Sequence, residues 1–391
     1  MANVAHLDFG ITPAFAPGRA VLRRVTAAGL TTPAAVARWD RLAARAVEPN
    51  PFFEPWHLLP SLAALDPAGE AEVLVLEDSG GEWLGLIPLA RSARYYRYPF
   101  PHAATWLHAN AFLGAPLVAR GHEDAFWRAL LGWLDRAAHA ALFLHLPGLP
   151  LDSPLTDALR TVARRQNRRL GLVHREERAL LRSALGPEAY LEAALSAKKR
   201  KELRRQHARL SEQGALGFSR QADDAGLAEW TEAFLALEAG GWKGAAGSAL
   251  ASSPQTAALF RAALRGAAER GRLERLTLSL DRRPIAMLAN FLTPPGAFSY
   301  KTAFDEAFAR FSPGVLLQRE NLALLAREGI GWCDSCAAAD HPMIDHLWRE
   351  RRAIGRLSVA IGGPTRRAAF ALVLAAETAR NPDRRPNGTQ P

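Results

Sequence analysis

Several residues of this 391-residue chain have types and spacings that suit chemistry. Arg310 and Ser312-Pro313-Gly314 stand at the start of an expected helix, where unpaired N–H groups and the helix dipole favour an anion. Gly314 lets backbone approach a ligand, Pro313 needs no N–H, and Arg310 adds a charge-assisted bond; an ordinary helix start capped by Ser312 is the plain alternative. Lys301 and Asp305 share one face of the preceding expected strand, since i and i+4 point the same way. Asp305, at the strand's C-terminal end, is placed to orient an amine or accept its proton; a structural ion pair is the plain alternative. Trp242 and Lys243 lie in a Gly-rich stretch, 240–244, suited to a lid over a ligand or to a buried Trp anchoring a loop. Tyr300 is read as a substrate contact or a core residue. Cys333, Cys336, His341 and His346 have zinc-ligand types at C-x2-C-x4-H-x4-H spacing. An expected strand over 331–335 would turn the two cysteines to opposite faces, so no metal is expected. Asp334, Asp340 and His341 then fall near the end of that strand, and His341, titrating near neutrality, is a second candidate base.

Elements that would position these residues follow from periodicity. Thr32-Pro33 has the chemistry of a helix start, with Val36, Trp39, Leu42 and Ala43 on one face. Runs at 72–77 and 83–89 around Asp78-Ser-Gly-Gly81 read as a hairpin. Helices are expected at 122–139 and 153–165, with a buried strand at 141–146. One long helix is expected from Gly186-Pro187 to about Gln213, joining two lobes. The second half then reads strand 216–220, helix 224–238, helix 254–270, hairpin 273–292 turning at 281–284, strand 297–304, helix 314–328, strand 331–335, helix 343–352. That order implies a mixed α/β sheet, not a doubly wound one, and no dinucleotide or P-loop glycine motif is present. No nucleophile elbow or H-E-x-x-H is present either.

Composition sets the class. At 49% hydrophobic and 23% charged residues the chain is globular, and its length suits two domains. The reading divides it at 1–185, 186–363 and a helical then disordered tail, 364–391. Two cysteines, no membrane-length apolar run and no signal-peptide pattern at the N-terminus lead to an expected cytoplasmic location. A net charge of +10 favours anionic partners. Seven Lys/Arg against one acid lie between Ala197 and Leu210, and a second cluster comprises Arg164, Arg165, Arg168, Arg169 and Arg175. The plain reading of both is a solvated helix face.

Leu237-Glu-Ala-Gly-Gly-Trp-Lys-Gly-Ala-Ala-Gly247, the hairpin at 278–289, Tyr300-Lys-Thr-Ala-Phe-Asp305 and Arg310-Phe-Ser-Pro-Gly314 form an ordered set. Together they resemble the BioF-like, CelD-type (cellulose-biosynthesis-associated) branch of the GNAT N-acetyltransferases. Asn50 to Ala64 is similar to the N-terminal part of such proteins. The resemblance implies tandem GNAT-like lobes, as in the Fem peptidyltransferases, with acetyl-CoA or another acyl-CoA bound by the second lobe. It implies a donor site at Arg310, Ser312, Gly314, Val315 and Leu316, although the spacing of this loop differs from the family's Q/R-x-x-G-x-G/A. It implies an amine acceptor on a small molecule or sugar, met by Trp242, Lys243, Tyr300, Lys301 and Asp334, with Asp305 or His341 as base. The segment Trp332-Cys-Asp-Ser-Cys336 to Pro342 departs from the commoner family pattern. Three other readings stay open: a Fem-like transferase using aminoacyl-tRNA, with the basic run tracking RNA; a non-catalytic nucleic-acid-binding protein; and, by analogy with the family name, a polysaccharide-assembly accessory protein.

Overall fold

The computed structural model describes residues 20–136, 140–339, 341 and 343–379. The N-terminal segment, Asp340 and the polar tail beyond 380 lie outside the described residues. The strands are β1 (Val21–Val25), β2 (Glu72–Glu77), β3 (Trp83–Ser92), β4 (His102–Thr105), β5 (Leu117–Val118), β6 (Phe143–Pro150) and β7 (Leu170–Leu181). They continue with β8 (Leu216–Gln221), β9 (Leu273–Leu280), β10 (Arg283–Thr293), β11 (Gly296–Phe304), β12 (Trp332–Asp334) and β13 (Glu350–Ala360). Among the described residues these form one 13-stranded mixed sheet, ordered β1-β2-β3-β4-β6-β13-β7-β12-β11-β10-β9-β8, with β5 on β3.

Helices pack on it: α1 (Ala27–Leu30), α2 (Pro33–Arg45), α3 (Pro55–Leu65), α4 (Glu123–Arg136) and α5 (Pro154–Arg165) in the first half. The second half adds α6 (Pro187–Ala194), α7 (Ala197–Ser211), α8 (Leu227–Ala239), α9 (Trp242–Ala245), α10 (Pro254–Ala268), α11 (Pro313–Asn321) and α12 (Pro364–Ala379). The mixed α/β architecture expected from the sequence is therefore present, and its tandem lobes share one sheet.

Local chemistry explains most elements. Thr32 caps α2 by accepting from the Ala35 N–H, with Pro33 in the first turn. Trp39 and Leu42 are buried as expected, and the Trp39 indole donates to the Phe53 carbonyl at 2.8 Å. The β9–β10 hairpin turns on Asp281 and Arg282, both at positive φ, the backbone that matches strand twist in a two-residue turn. Pro284, which cannot donate to a ladder, sits where the β9–β10 register shifts.

Four expectations need correction. The long helix at 186–213 is two, because Leu195 is extended and the Ser196 side chain caps α7 by accepting from the Lys199 N–H. No helix covers 343–352: turns precede β13, which lies between β6 and β7. The 314–328 helix tightens after Asn321 into a 3-10 turn, Leu322–Ala326. The upstream arginine cluster is not simply a solvated helix face. Arg175 lies on β7, and Arg168, 8% exposed, donates to Asp135 at 2.9 Å.

Candidate active site

The site arises where β11 and β12 part. Their parallel pairing covers only Gly296–Trp332, Ala297–Cys333 and Phe298–Asp334. Beyond it, 299–304 runs on without a β12 partner. The chain leaves β12 through Cys336, at positive φ, whose N–H donates to Asp334 Oδ1 at 2.9 Å. On the other edge of β11 the register shifts from Ala289–Lys301 to Asn290–Ser299, so Tyr300 is the extra residue of a bulge. Bulges twist a strand and re-aim its side chains. The two strands thus splay around a cleft of about 280 Å³.

One wall of the cleft is 299–304 and the other is 335–338; α8–α9 and the segment through His341, Met343 and Ile344 close it, and Phe112 reaches in from the first half. Five expected site residues meet here: Trp242, Lys243, Tyr300, Lys301 and His341. The 240–244 stretch is not an open loop; Trp242 starts the short α9, and Gly244 is obligatory because a Cβ there would lie 1.8 Å from the Ala239 carbonyl oxygen. Trp242 is 60% exposed at the mouth, and its N–H donates to Glu306 Oε1 at 2.6 Å. Lys243 is tied to Glu238 at 2.8 Å, while the other Glu238 oxygen accepts the Leu250 N–H, also at 2.8 Å.

Tyr300 packs in the core and also lines the cleft. Its ring stacks on Phe291 at 4.3 Å in the core, yet its hydroxyl is buried without a hydrogen-bond partner at the cleft wall. Lys301 Nζ lies over the rings of Phe112, at 5.1 Å, and Tyr300, at 5.7 Å. Burial first, then the nearby Lys243 charge, lowers the Lys301 pKa to about 8. His341 is likewise held below its ordinary value, by burial and then by Lys243, and its Nδ1 has no side-chain hydrogen-bond partner among the described residues. Burial pushes the Cys336 thiol well up, so it rests as the thiol.

Other expected residues lie outside the cleft walls. Asp305 accepts the Ala307 N–H at 3.0 Å as a helix cap and pairs with Arg283 at 2.7 Å. Asp334 is fully buried between Arg352, at 3.0 Å, and Arg178, at 3.5 Å. Arg352 also pairs with Glu48 and stacks over Trp332 at 4.6 Å.

Arg310 is exposed over Phe311, and Ser312, at positive φ, leads into α11 without a side-chain cap. Val315 and Leu316 both return their N–H to the Ser312 carbonyl, and the Leu316 side chain is core. A Cβ on Gly314 would meet Met343 Sδ at 2.7 Å, so glycine is what lets the segment after β12 cross the start of α11. Of the first turn of this nine-residue helix only the Gly314 N–H is then left without an acceptor in the helix, and exposed Arg310 precedes it. Among the described residues no cluster of three or more His, Cys, Asp or Glu is placed to hold a metal ion. Phe112, Glu238, Glu306 and Cys336 were not picked out from the sequence as cleft residues.

Residues 197–342, which include the splay and the cleft's main walls, match the model of the acetyltransferase (GNAT) domain. No curated protein is significantly similar in sequence. Among solved structures, FemX is similar at 11% identity and a TM-score of 0.53, over 90% of this chain and 99% of that one. The C-terminal domain of a putative lysylphosphatidylglycerol synthetase from Agrobacterium fabrum is similar at 14% identity and TM-score 0.51, over 88% and 96%. A conserved protein of unknown function from Bacteroides thetaiotaomicron is similar at 12% identity and TM-score 0.52, over 83% and 97%. The fold is thus that of the two-lobed Fem-type proteins, and with a GNAT acetyltransferase domain in its second half the chain is a transferase. Among the described residues no helix is long and apolar enough to cross a membrane.

Proposed function

We propose that the chain is an N-acyltransferase of the BioF-like, CelD-type branch, moving an acyl group, acetyl in the simplest case, from an acyl-CoA to an amine of a small molecule or sugar. The observation that carries this reading is the splay of β11 from β12 inside the matched acetyltransferase domain, beside the uncapped start of α11. The thioester arm enters the splay, and the phosphates lie toward Arg310 and the α11 N-terminus. Backbone N–H groups freed along 299–304 face the carbonyl oxygen, where charge develops during attack. The acceptor comes in under Trp242, whose exposed ring offers a flat face to a sugar or apolar group. Transfer is direct, because the only thiol in the walls, Cys336, stays protonated.

Release of free CoA thiol, followed over a panel of amino sugars and small amines, tests this. Turnover with at least one amine, lost in Ala338→Trp, supports the reading, since Ala338 is an exposed wall residue whose enlargement fills the cleft without touching the core. No acetyl-CoA consumption with any amine counts against it.

A second reading, an aminoacyl-tRNA donor, is favoured by one observation. Lys198, Lys201, Arg205 and Arg209 form a stripe on α7 opposite its buried Leu210, and only Arg205 takes an acid there, Glu202. Salt-dependent binding of tRNA, without binding of acetyl-CoA, would move that reading ahead.

A further inference from the structure

The chain has 49 Lys and Arg residues, of which only five are lysine: Lys198, Lys199, Lys201, Lys243 and Lys301. Three lie on α7; the other two line the cleft. Elsewhere every basic side chain of this pair is arginine, which keeps its proton in proteins, whereas a buried lysine amine readily loses one. Lysine at the cleft positions therefore supplies something that arginine cannot.

The two cleft lysines differ. Lys243 is held by Glu238, whose second oxygen is also taken. Lys301 is left to aromatic rings, with no ion pair or hydrogen bond to any described residue. The groups facing it are Lys243 and Glu238 from α8 and α9, Cys336 from beyond β12, and His108 from the first half. Cys336 is a neutral thiol, and His108 is itself kept neutral by burial and by Lys301, its pKa lowered to about 4. Apolar walls and one like charge, partly offset by Glu238, thus raise the share of free amine, with its lone pair, on the same wall of the splay that receives the thioester in the reading above.

We propose that Lys301 is a self-acylation site, its Nζ taking the acyl group of an acyl-CoA when no acceptor amine occupies the cleft. The inference rests on the acyl-CoA reading of the preceding subsection. The Nζ lone pair forms a bond to the thioester carbonyl carbon, the C–S bond breaks, and CoA leaves as thiolate. The proton shed by nitrogen goes to that thiolate, so the products are an amide on Lys301 and free CoA. The amide is uncharged and fills the cleft, which shuts the site when donor is plentiful and acceptor scarce.

The full chain incubated with acetyl-CoA between pH 6.5 and 9.5, followed by peptide mass spectrometry, tests this directly. At pH 8 an amine of pKa about 8 has a neutral fraction on the order of a hundredfold larger than an ordinary lysine. Lys301 is expected to acetylate that much faster than Lys198, Lys199 and Lys201, to level off above pH 8, and to lose its preference in the urea-unfolded chain. The surface lysines should instead keep rising about tenfold per pH unit. Calorimetric binding of acetyl-CoA, with Lys301 labelled no faster than the α7 lysines, overturns self-acylation and leaves the proposed function standing. Absence of any acetyl-CoA binding removes both.

Discussion

Replacing Asp334 with Ala separates a structural role from a substrate-binding one. Its carboxylate is fully buried and accepts from Arg352, the Cys336 N–H and, more distantly, Arg178. In the variant both guanidiniums lose a counter-charge, although Arg352 keeps Glu48 and Arg178 keeps Glu176 and the Phe112 carbonyl. Breaking a buried charge pair from one side costs about 3–5 kcal/mol. The surviving acids put this case near the lower end, about 3 kcal/mol, including the orphaned Cys336 N–H. Urea unfolding should show a lower midpoint at an unchanged slope, and Asp334→Asn, which keeps the hydrogen-bond acceptor, should lose less. Because Arg178 holds the Phe112 carbonyl, the Ala variant should also loosen the cleft wall. A variant within about 0.5 kcal/mol of the parent that nonetheless lost all turnover would refute this and return Asp334 to the substrate.

Other outcomes follow from the same structure. His57 and His145 are buried and His108 is half-buried, and all three are held below their ordinary pKa, His57 well below, His108 at about 4 and His145 at about 3. Such a group binds its proton less tightly folded than unfolded, so stability is full above about pH 6.5 and falls below it by about 1.4 kcal/mol per unit per histidine. Urea midpoints measured from pH 7.5 to 5 should show that decline, shallower in His57→Gln. Gly114→Ala should be severely destabilising, because its Cβ would lie 1.9 Å from the Pro147 carbonyl oxygen; a melting temperature equal to the parent's contradicts the close packing. Trp242→Ala should leave stability within about 0.5 kcal/mol of the parent, as an exposed side chain, yet raise the KM for the acceptor amine.

Much of the second half was legible because its signals are local. The Asp281-Arg282 turn declares an element boundary, and Tyr300 to Gly314 does read as strand, turn and helix, whereas the Ser196 cap reads as helix interior. β7 was hidden by its charges: Arg175, Glu176, Glu177 and Arg178 look solvated in sequence, yet Arg178 is buried against Asp334. β13 was hidden because 343–352 mixes apolar and charged residues at helical spacing, and only the partner strands β6 and β7 decide its state.

The site divided along the same line. Trp242, Lys243, Tyr300, Lys301 and His341 share the cleft, whereas Asp305 takes the ion pair that was its plain alternative, with a cap and a partner, Arg283, that only the fold reveals. Phe112 is remote in sequence and carries no motif. Its place in the wall depends on the two halves sharing one sheet, which no spacing in the chain encodes.

The central claim is that the β11–β12 cleft receives an acyl-CoA, and calorimetric titration with acetyl-CoA tests it most directly. The account predicts saturable micromolar binding by the parent, weakened by Arg310→Ala and abolished by Ala338→Trp with both variants melting as the parent does. No heat from a folded parent, or equal binding by the parent and Ala338→Trp, would contradict it.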